Sequence, residues 1–185
     1  VMRLMIWAVL ILGICSCTAV DSDTNPESQA LVTLNNASTR SDPGLQRVEP
    51  FAIFDNVYYI GIGWVSAYLI DTGNGLIMID ALYADFVDTA IQDIRGLGFD
   101  PQDLEYVLVT HGHFDHVGGA GQLQQQFGAQ VVMTEPDWQL AEASRGSSAQ
   151  VLNRDVVVND GDEIALGNTT VRFYVTPGHT PGVLS

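Results

Sequence analysis

The stretch Thr110-His111-Gly112-His113-Phe114-Asp115-His116 constrains this chain more than any other. Three of its 4 histidines, with a carboxylate, fall there within six residues. The stretch follows the apolar run Tyr106 to Thr110, which reads as a strand covered on both faces. The chemical reason for such clustering is metal binding, since imidazole nitrogen and carboxylate oxygen bind Zn²⁺ at about 2.0–2.2 Å. On a loop leaving a strand, alternate residues point the same way. His111 and His113 are therefore expected to share one ion, while Asp115 and His116 turn towards a second. Gly112 removes a side chain between two ligands, and Gly118 and Gly119 are expected to allow tight backbone turns into the next helix. The fourth histidine, His179, stands in Thr176-Pro177-Gly178-His179-Thr180-Pro181-Gly182, again behind a strand. A tetrahedral catalytic zinc takes three protein ligands and leaves one position for water. His111, His113 and His179 supply that set.

The rest of the body alternates strands and helices, the pattern of an α/β fold with some antiparallel pairing. Val57 to Ile62 and Val65 to Ile70 read as paired strands, and Leu76 to Ile79 as a third, ending at Asp80. Phe86, Val87, Ala90, Ile91, Ile94 and Leu97 recur at helical spacing, predicting a helix over Ala84 to Leu97. Asp100-Pro101 reads as a cap with proline in the first turn. A short helix is expected over Gly119 to Phe127 and a strand at Gln130 to Met133. A further helix starts near Pro136, with Thr134 and Asp137 at capping-box spacing. Val156 to Val158, Glu163 to Leu166 and Thr169 to Thr176 read as strands separated by turns.

The front of the chain reads as an address. Arg3, the apolar run Leu4 to Ile14 and the small residues behind it form the layout of a secretory signal over residues 1–17. The run is short for a membrane-spanning helix. Ile14-Cys15-Ser16-Cys17 also resembles a bacterial lipoprotein cleavage site, with Cys17 as the acylated residue; an ordinary cleaved signal with incidental cysteines is the other reading. The only cysteines are these 2, so a disulfide-rich scaffold is excluded. Residues 18–50, rich in Ser, Thr, Asn, Asp and Pro, read as a flexible tether. The domain proper is expected over 51–185. Seven basic residues against 22 acidic ones give a formal charge of −15, which argues against nucleic acid as a partner because phosphate binding needs a basic face.

The His-x-His-x-Asp-His motif and the Gly-His-Thr-Pro-Gly turn resemble those of the metallo-β-lactamase superfamily, most closely the third subclass of class B β-lactamases. The resemblance covers roughly Phe51 to Ser185. It implies an αββα sandwich whose second half is incomplete here. It also implies two zinc ions per intact domain: His111, His113 and His179 on the first, Asp115 and His116 on the second. By the same resemblance Asp115 is catalytic, holding the second ion and orienting the nucleophile. Asp80 matches the family's aspartate at a strand end and supports the ligands from behind; a helix-capping or turn aspartate is its other reading.

The implied reaction is hydrolysis of the β-lactam amide by a metal-bound hydroxide, with no serine or cysteine nucleophile. Localisation would be periplasmic, with membrane attachment through an N-terminal lipid if Cys17 is acylated. The substrate would be a small molecule, a β-lactam or another cyclic amide or ester. Val183 stands where many members carry serine, which bears on the substrate and not on the metals. The competing readings are a lactonase or glyoxalase-II-like thioester hydrolase of the same superfamily, an iron-binding oxidoreductase relative, and an inert metal-binding fragment. The family pattern asks for one more ligand and one more histidine than stand here, so the chain is expected to be a C-terminally truncated piece with impaired activity.

Overall fold

A computed structural model of the chain describes residues 42–144 and 151–185. The signal expected over residues 1–17, Cys17 included, lies outside the described residues, as does the tether up to residue 41. From Asp42 the expected tether carries structure. A single helical turn, α1 (Pro43–Gln46), is capped by Asp42, whose side chain accepts from the Gly44 and Leu45 N–H groups. Gln46 is buried, and its carbonyl accepts from the Gly63 N–H at 2.9 Å. Arg47 forms an ion pair of 2.8 Å with Asp93, whose side chain is only 2% exposed. Burial pushes the Asp93 carboxyl up, and the hydrogen bond and charge of Arg47 oppose that rise. Residues 42–50 are thus fastened to the domain. Arg47→Ala strands the buried carboxyl and is expected to cost about 1–3 kcal/mol, read as a lower urea midpoint at unchanged slope.

Seven strands form one sheet in chain order: β1 (Phe51–Phe54), β2 (Val57–Tyr59), β3 (Tyr68–Asp71), β4 (Leu76–Ile79), β5 (Leu104–Leu108), β6 (Gln130–Met133) and β7 (Val156–Val157). The first four pair antiparallel through short connections. From β4 onward the pairing is parallel. The change follows from the connections, since parallel neighbours need crossovers and helices supply them. Helix α2 (Val87–Gly96) joins β4 to β5, α3 (Phe114–Val117) and α4 (Ala120–Phe127) join β5 to β6, and α5 (Glu135–Ala143) joins β6 to β7. A separate hairpin, β8 (Glu163–Leu166) and β9 (Thr169–Arg172), forms a second sheet.

Period-two alternation divides the central strands between two cores. Met78, Val107, Val131 and Met133 face the helices, against Phe86, Ile91, Ile94, Leu123 and Trp138. Ile77, Leu108 and Val132 face the other way, against Phe173, Leu184 and the half-buried Ile164, Leu166 and Val171 of the hairpin. The layers run helix, sheet, sheet, which is the mixed α/β arrangement expected from the sequence.

Four details differ from expectation. Strand β1 was not predicted; all four of its residues are exposed, so it carries no buried face to read. The strand predicted over Thr169 to Thr176 ends at Arg172, after which Val175 bridges Leu184. No side chain caps α5: the Thr134 hydroxyl points instead at Asp137 Oδ2 and the Gly182 carbonyl. Gly118 and Gly119 adopt ordinary right-handed helical angles. They serve close packing, because a Cβ on Gly118 would come within 2.7 Å of Ala84 N and one on Gly119 within 2.7 Å of Val87 Cβ.

Candidate metal centre

Strand β5 ends at Leu108, and two further residues carry the chain to His111. The ligand nitrogens of His111, His113 and His179 lie within 4.8 Å of one another, although residues 113 and 179 are 66 positions apart. His113 Nδ1 and His179 Nε2 stand 2.9 Å apart. In a tetrahedral zinc site with bonds near 2.0–2.1 Å, ligand nitrogens sit about 3.3 Å from each other. The observed separations, from 2.9 Å up to at most 4.8 Å, bracket that spacing. His111 is buried, His113 half-buried and His179 exposed, so the cluster has a closed floor and an open mouth.

The floor decides the state of His111. The Thr110 hydroxyl donates its one proton to Asp80, at 3.0 Å from Oδ1 and 2.9 Å from Oδ2. It stands 3.1 Å from His111 Nδ1 and serves that ring as an acceptor, so Nδ1 carries the hydrogen. That leaves Nε2 as a bare lone pair, buried and without a hydrogen-bond partner. An unpaired buried acceptor costs about 1–3 kcal/mol. A cation among the three histidines removes that cost, and neutral imidazole is the form a metal requires. The residues present therefore fit a divalent metal of the zinc type.

Asp80 does more than cap a turn. Besides the Thr110 hydroxyl it accepts from the Thr110 N–H at 2.8 Å, and its Oδ2 lies 2.9 Å from His116 Nδ1. Its backbone is left-handed, φ 59°, and Leu82 follows at φ 58°. Such angles in non-glycine residues cost roughly 1–3 kcal/mol each. They are held by Asp80 N–H to the Leu108 carbonyl (2.9 Å) and Ala81 N–H to the His116 carbonyl (2.7 Å). Asp115 and His116 occupy the one-turn helix α3, where His116 Nε2 stands 3.6 Å from Asp115 Oδ2. The structure thus groups the five expected ligands as a trio and an adjoining pair, with the His111 and His116 ring centroids 4.1 Å apart.

Burial, with the nearby His116, pushes His111 down to about 4. Burial also pulls His116 down, but the hydrogen bond and charge of Asp80, with Asp115, outweigh it and raise His116. In the metal-free protein the His111 ring protons are expected to titrate near pH 4 and those of His116 above 6.5, measured by NMR. The linkage signs are opposite. Between pH 6.5 and about 4 the unfolded chain protonates His111 and the folded chain does not, so this residue's contribution falls as pH falls. His116 contributes stability below its unfolded value that is lost as pH rises through the folded one.

Sequence reasoning missed Asp137 and Thr180 as parts of the site. Asp137 is 1% exposed and accepts from the Gly112 N–H at 2.9 Å and the Thr180 hydroxyl at 3.0 Å. Its only local signal was a capping spacing, which α5 does not use.

Residues 61–185 match the metallo-β-lactamase superfamily, and the chain belongs to it. Among solved structures it is similar to a subclass B3 metallo-β-lactamase of Bradyrhizobium japonicum, at 34% identity and a TM-score of 0.70, covering 75% of this chain and 56% of that one. Among curated proteins it is similar to a hydroxyacylglutathione hydrolase of Rhodopseudomonas palustris, 35% identical over 92 residues, 50% of this chain and 32% of that protein. It is also similar to an N-acyl homoserine lactonase of a Bacillus species, 30% identical over 98 residues, 51% of this chain and 37% of that protein. The chain thus spans from about a third to a little over half of these relatives' lengths.

Proposed function

We propose that this protein is a zinc-dependent hydrolase that opens the amide of a β-lactam ring. The observation that carries the reading is the likeness to a subclass B3 enzyme over 75% of the chain, in a fold that gathers three histidines around an unpartnered buried nitrogen. In this reading His111, His113 and His179 hold the first ion, and Asp115 and His116 hold the second. When bound there, zinc would supply Lewis-acid chemistry and a water with a pKa lowered to about 7. Thr110 fixes the His111 tautomer, and Asp80 orients His116 from behind. Asp115, in the first turn of α3, would help hold the second ion and orient the nucleophile. The exposed His179 lies on the open side of the cluster, where a small substrate would enter.

A lactonase or thioester hydrolase is the second reading, favoured by the likeness to the lactonase and the hydroxyacylglutathione hydrolase. Both chemistries use the same centre. Turnover of nitrocefin and a carbapenem by the full-length zinc protein decides between them. Lactone or thioester cleavage without β-lactam turnover sinks the first. Export to the periplasm, with Cys17 as a lipid anchor, is part of the same proposal. It rests on the apolar run Leu4 to Ile14, and loss of lipid labelling in Cys17→Ser tests it.

A further inference from the structure

We propose that Asp137 is a positioning residue that sets the distance between the two loops carrying the three histidines; the inference rests on the zinc reading of that cluster. The two loops come from distant parts of the chain and share no strand. What lies between them is the first turn of α5. Asp137 Oδ1 accepts from the N–H of Gly112, the residue between His111 and His113. Its Oδ2 accepts from the hydroxyl of Thr180, the residue after His179. Thr134, at the head of the same turn, shares its hydroxyl between Asp137 Oδ2 (3.2 Å) and the carbonyl of Gly182 (2.9 Å). One carboxylate thus reads the position of both ligand loops, 25 residues away on one side and 43 on the other.

Two features show that the spacing is tight. A Cβ on Gly112 would run into the Asp137 carbonyl and approach Ala141 N at 3.0 Å. A Cβ on Gly182 would run into the Thr134 hydroxyl and come within 2.6 Å of Asp137 Oδ2. Each ligand loop therefore lies on this turn through a glycine, with no slack. The charge is also placed without a cation: among the described residues no ion pair reaches Asp137, and its partners are the three donors and the positive end of α5. A carboxylate buried on such terms is costly to keep for packing alone. A second tie, Leu184 N–H to the Thr110 carbonyl at 2.9 Å, holds the far side of the same junction. Loosening the Asp137 tie therefore moves the ligands without unfolding the loops.

The test uses the full-length protein with Thr180→Val, Thr180→Ser and Asp137→Asn. Zinc affinity is measured by chelator competition, and ligand geometry by the visible spectrum of the Co²⁺ form. Thr180→Val is expected to weaken zinc binding about tenfold, within the range that supporting partners of metal ligands usually show, and to change the Co²⁺ spectrum. Thr180→Ser, which keeps the hydroxyl, restores both. Adding Thr180→Val to Asp137→Asn is expected to lower affinity little further, because the two act through one carboxylate. Lower melting temperatures with unchanged zinc affinity and unchanged Co²⁺ spectra would overturn the proposal, reducing Asp137 to a structural tie. Imidazole ¹⁵N shifts of the metal-free protein give an independent reading of the His113–His179 contact. Shifts that move in Thr180→Val support the proposal, and shifts that stay overturn it. Failure of the wild-type protein to bind zinc at all refutes the zinc reading by a separate result.

Discussion

His179→Ala is expected to lower zinc affinity on the order of a thousandfold and to remove hydrolysis with it. Loss of a partner standing behind a ligand already costs about 10–100-fold, and in the proposed reading this change removes one of the three ligands of the first ion. It also removes the partner of His113 Nδ1, 2.9 Å away. The variant is clean because His179 is exposed and its ring meets only the other two histidines of the cluster among the ring contacts of the described residues. Exposed substitutions usually stay within about 0.5 kcal/mol, so the melting temperature of the metal-free protein should hold within a few degrees. Calorimetric zinc titration beside a thermal melt checks both halves. Affinity within tenfold of wild type would exclude His179 from the first ligand set.

The second large effect is expected from Gly112→Ala. The added methyl would meet the Asp137 carbonyl, with the Asp137 carbonyl carbon at 3.1 Å and Ala141 N at 3.0 Å. These are backbone atoms of α5, and α5 is itself pinned by the fully buried Trp138, whose indole N–H donates to the Val156 carbonyl at 3.0 Å. Neither side has a rotamer to give. Overpacking of this kind costs about 1–3 kcal/mol, and the rigid neighbour places Gly112→Ala at the upper end, a loss of roughly 5–10 °C in melting temperature. The displaced loop carries His111 and His113, so zinc affinity should fall too. Gly178→Ala is the matched control, since a Cβ there meets nothing within 4 Å. It sits in the other ligand loop and should leave melting and zinc binding nearly unchanged. Equal melting of Gly112→Ala and wild type would mean that the loop does not lie against α5 as described.

Much of the fold was legible because its signals are local. The Leu76 to Ile79 strand, the helical face from Phe86 to Ile94 and the Gln130 to Met133 strand each announce themselves by periodicity, and each packs as its period requires. Strand β1 was not legible, because an exposed edge strand has no buried face to impose alternation. The helix α3 was hidden inside the motif: its one turn is too short to show a period, yet it carries Asp115 and His116 and sets the His116 ring beside His111. The left-handed angles at Asp80 and Leu82 have no signature at all, since neither residue is glycine.

The sequence by itself determined the chemistry of the site. Three histidines and an aspartate in six residues, with a fourth histidine in a glycine- and proline-rich turn, define the donor atoms whatever the fold does with them. Tertiary structure decided which donors meet, and in what protonation state. Nothing local says that His179 lands 2.9 Å from His113, or that Thr110 spends its only proton on Asp80 and so leaves His111 Nε2 bare. Nor does anything local say that Asp137, a helix residue in any reading of the chain, binds the backbone of one ligand loop and the hydroxyl of the other. The division has a physical reason. Donor type is a property of a side chain, whereas distance, burial and the sharing of a proton belong to pairs of residues that only packing brings together.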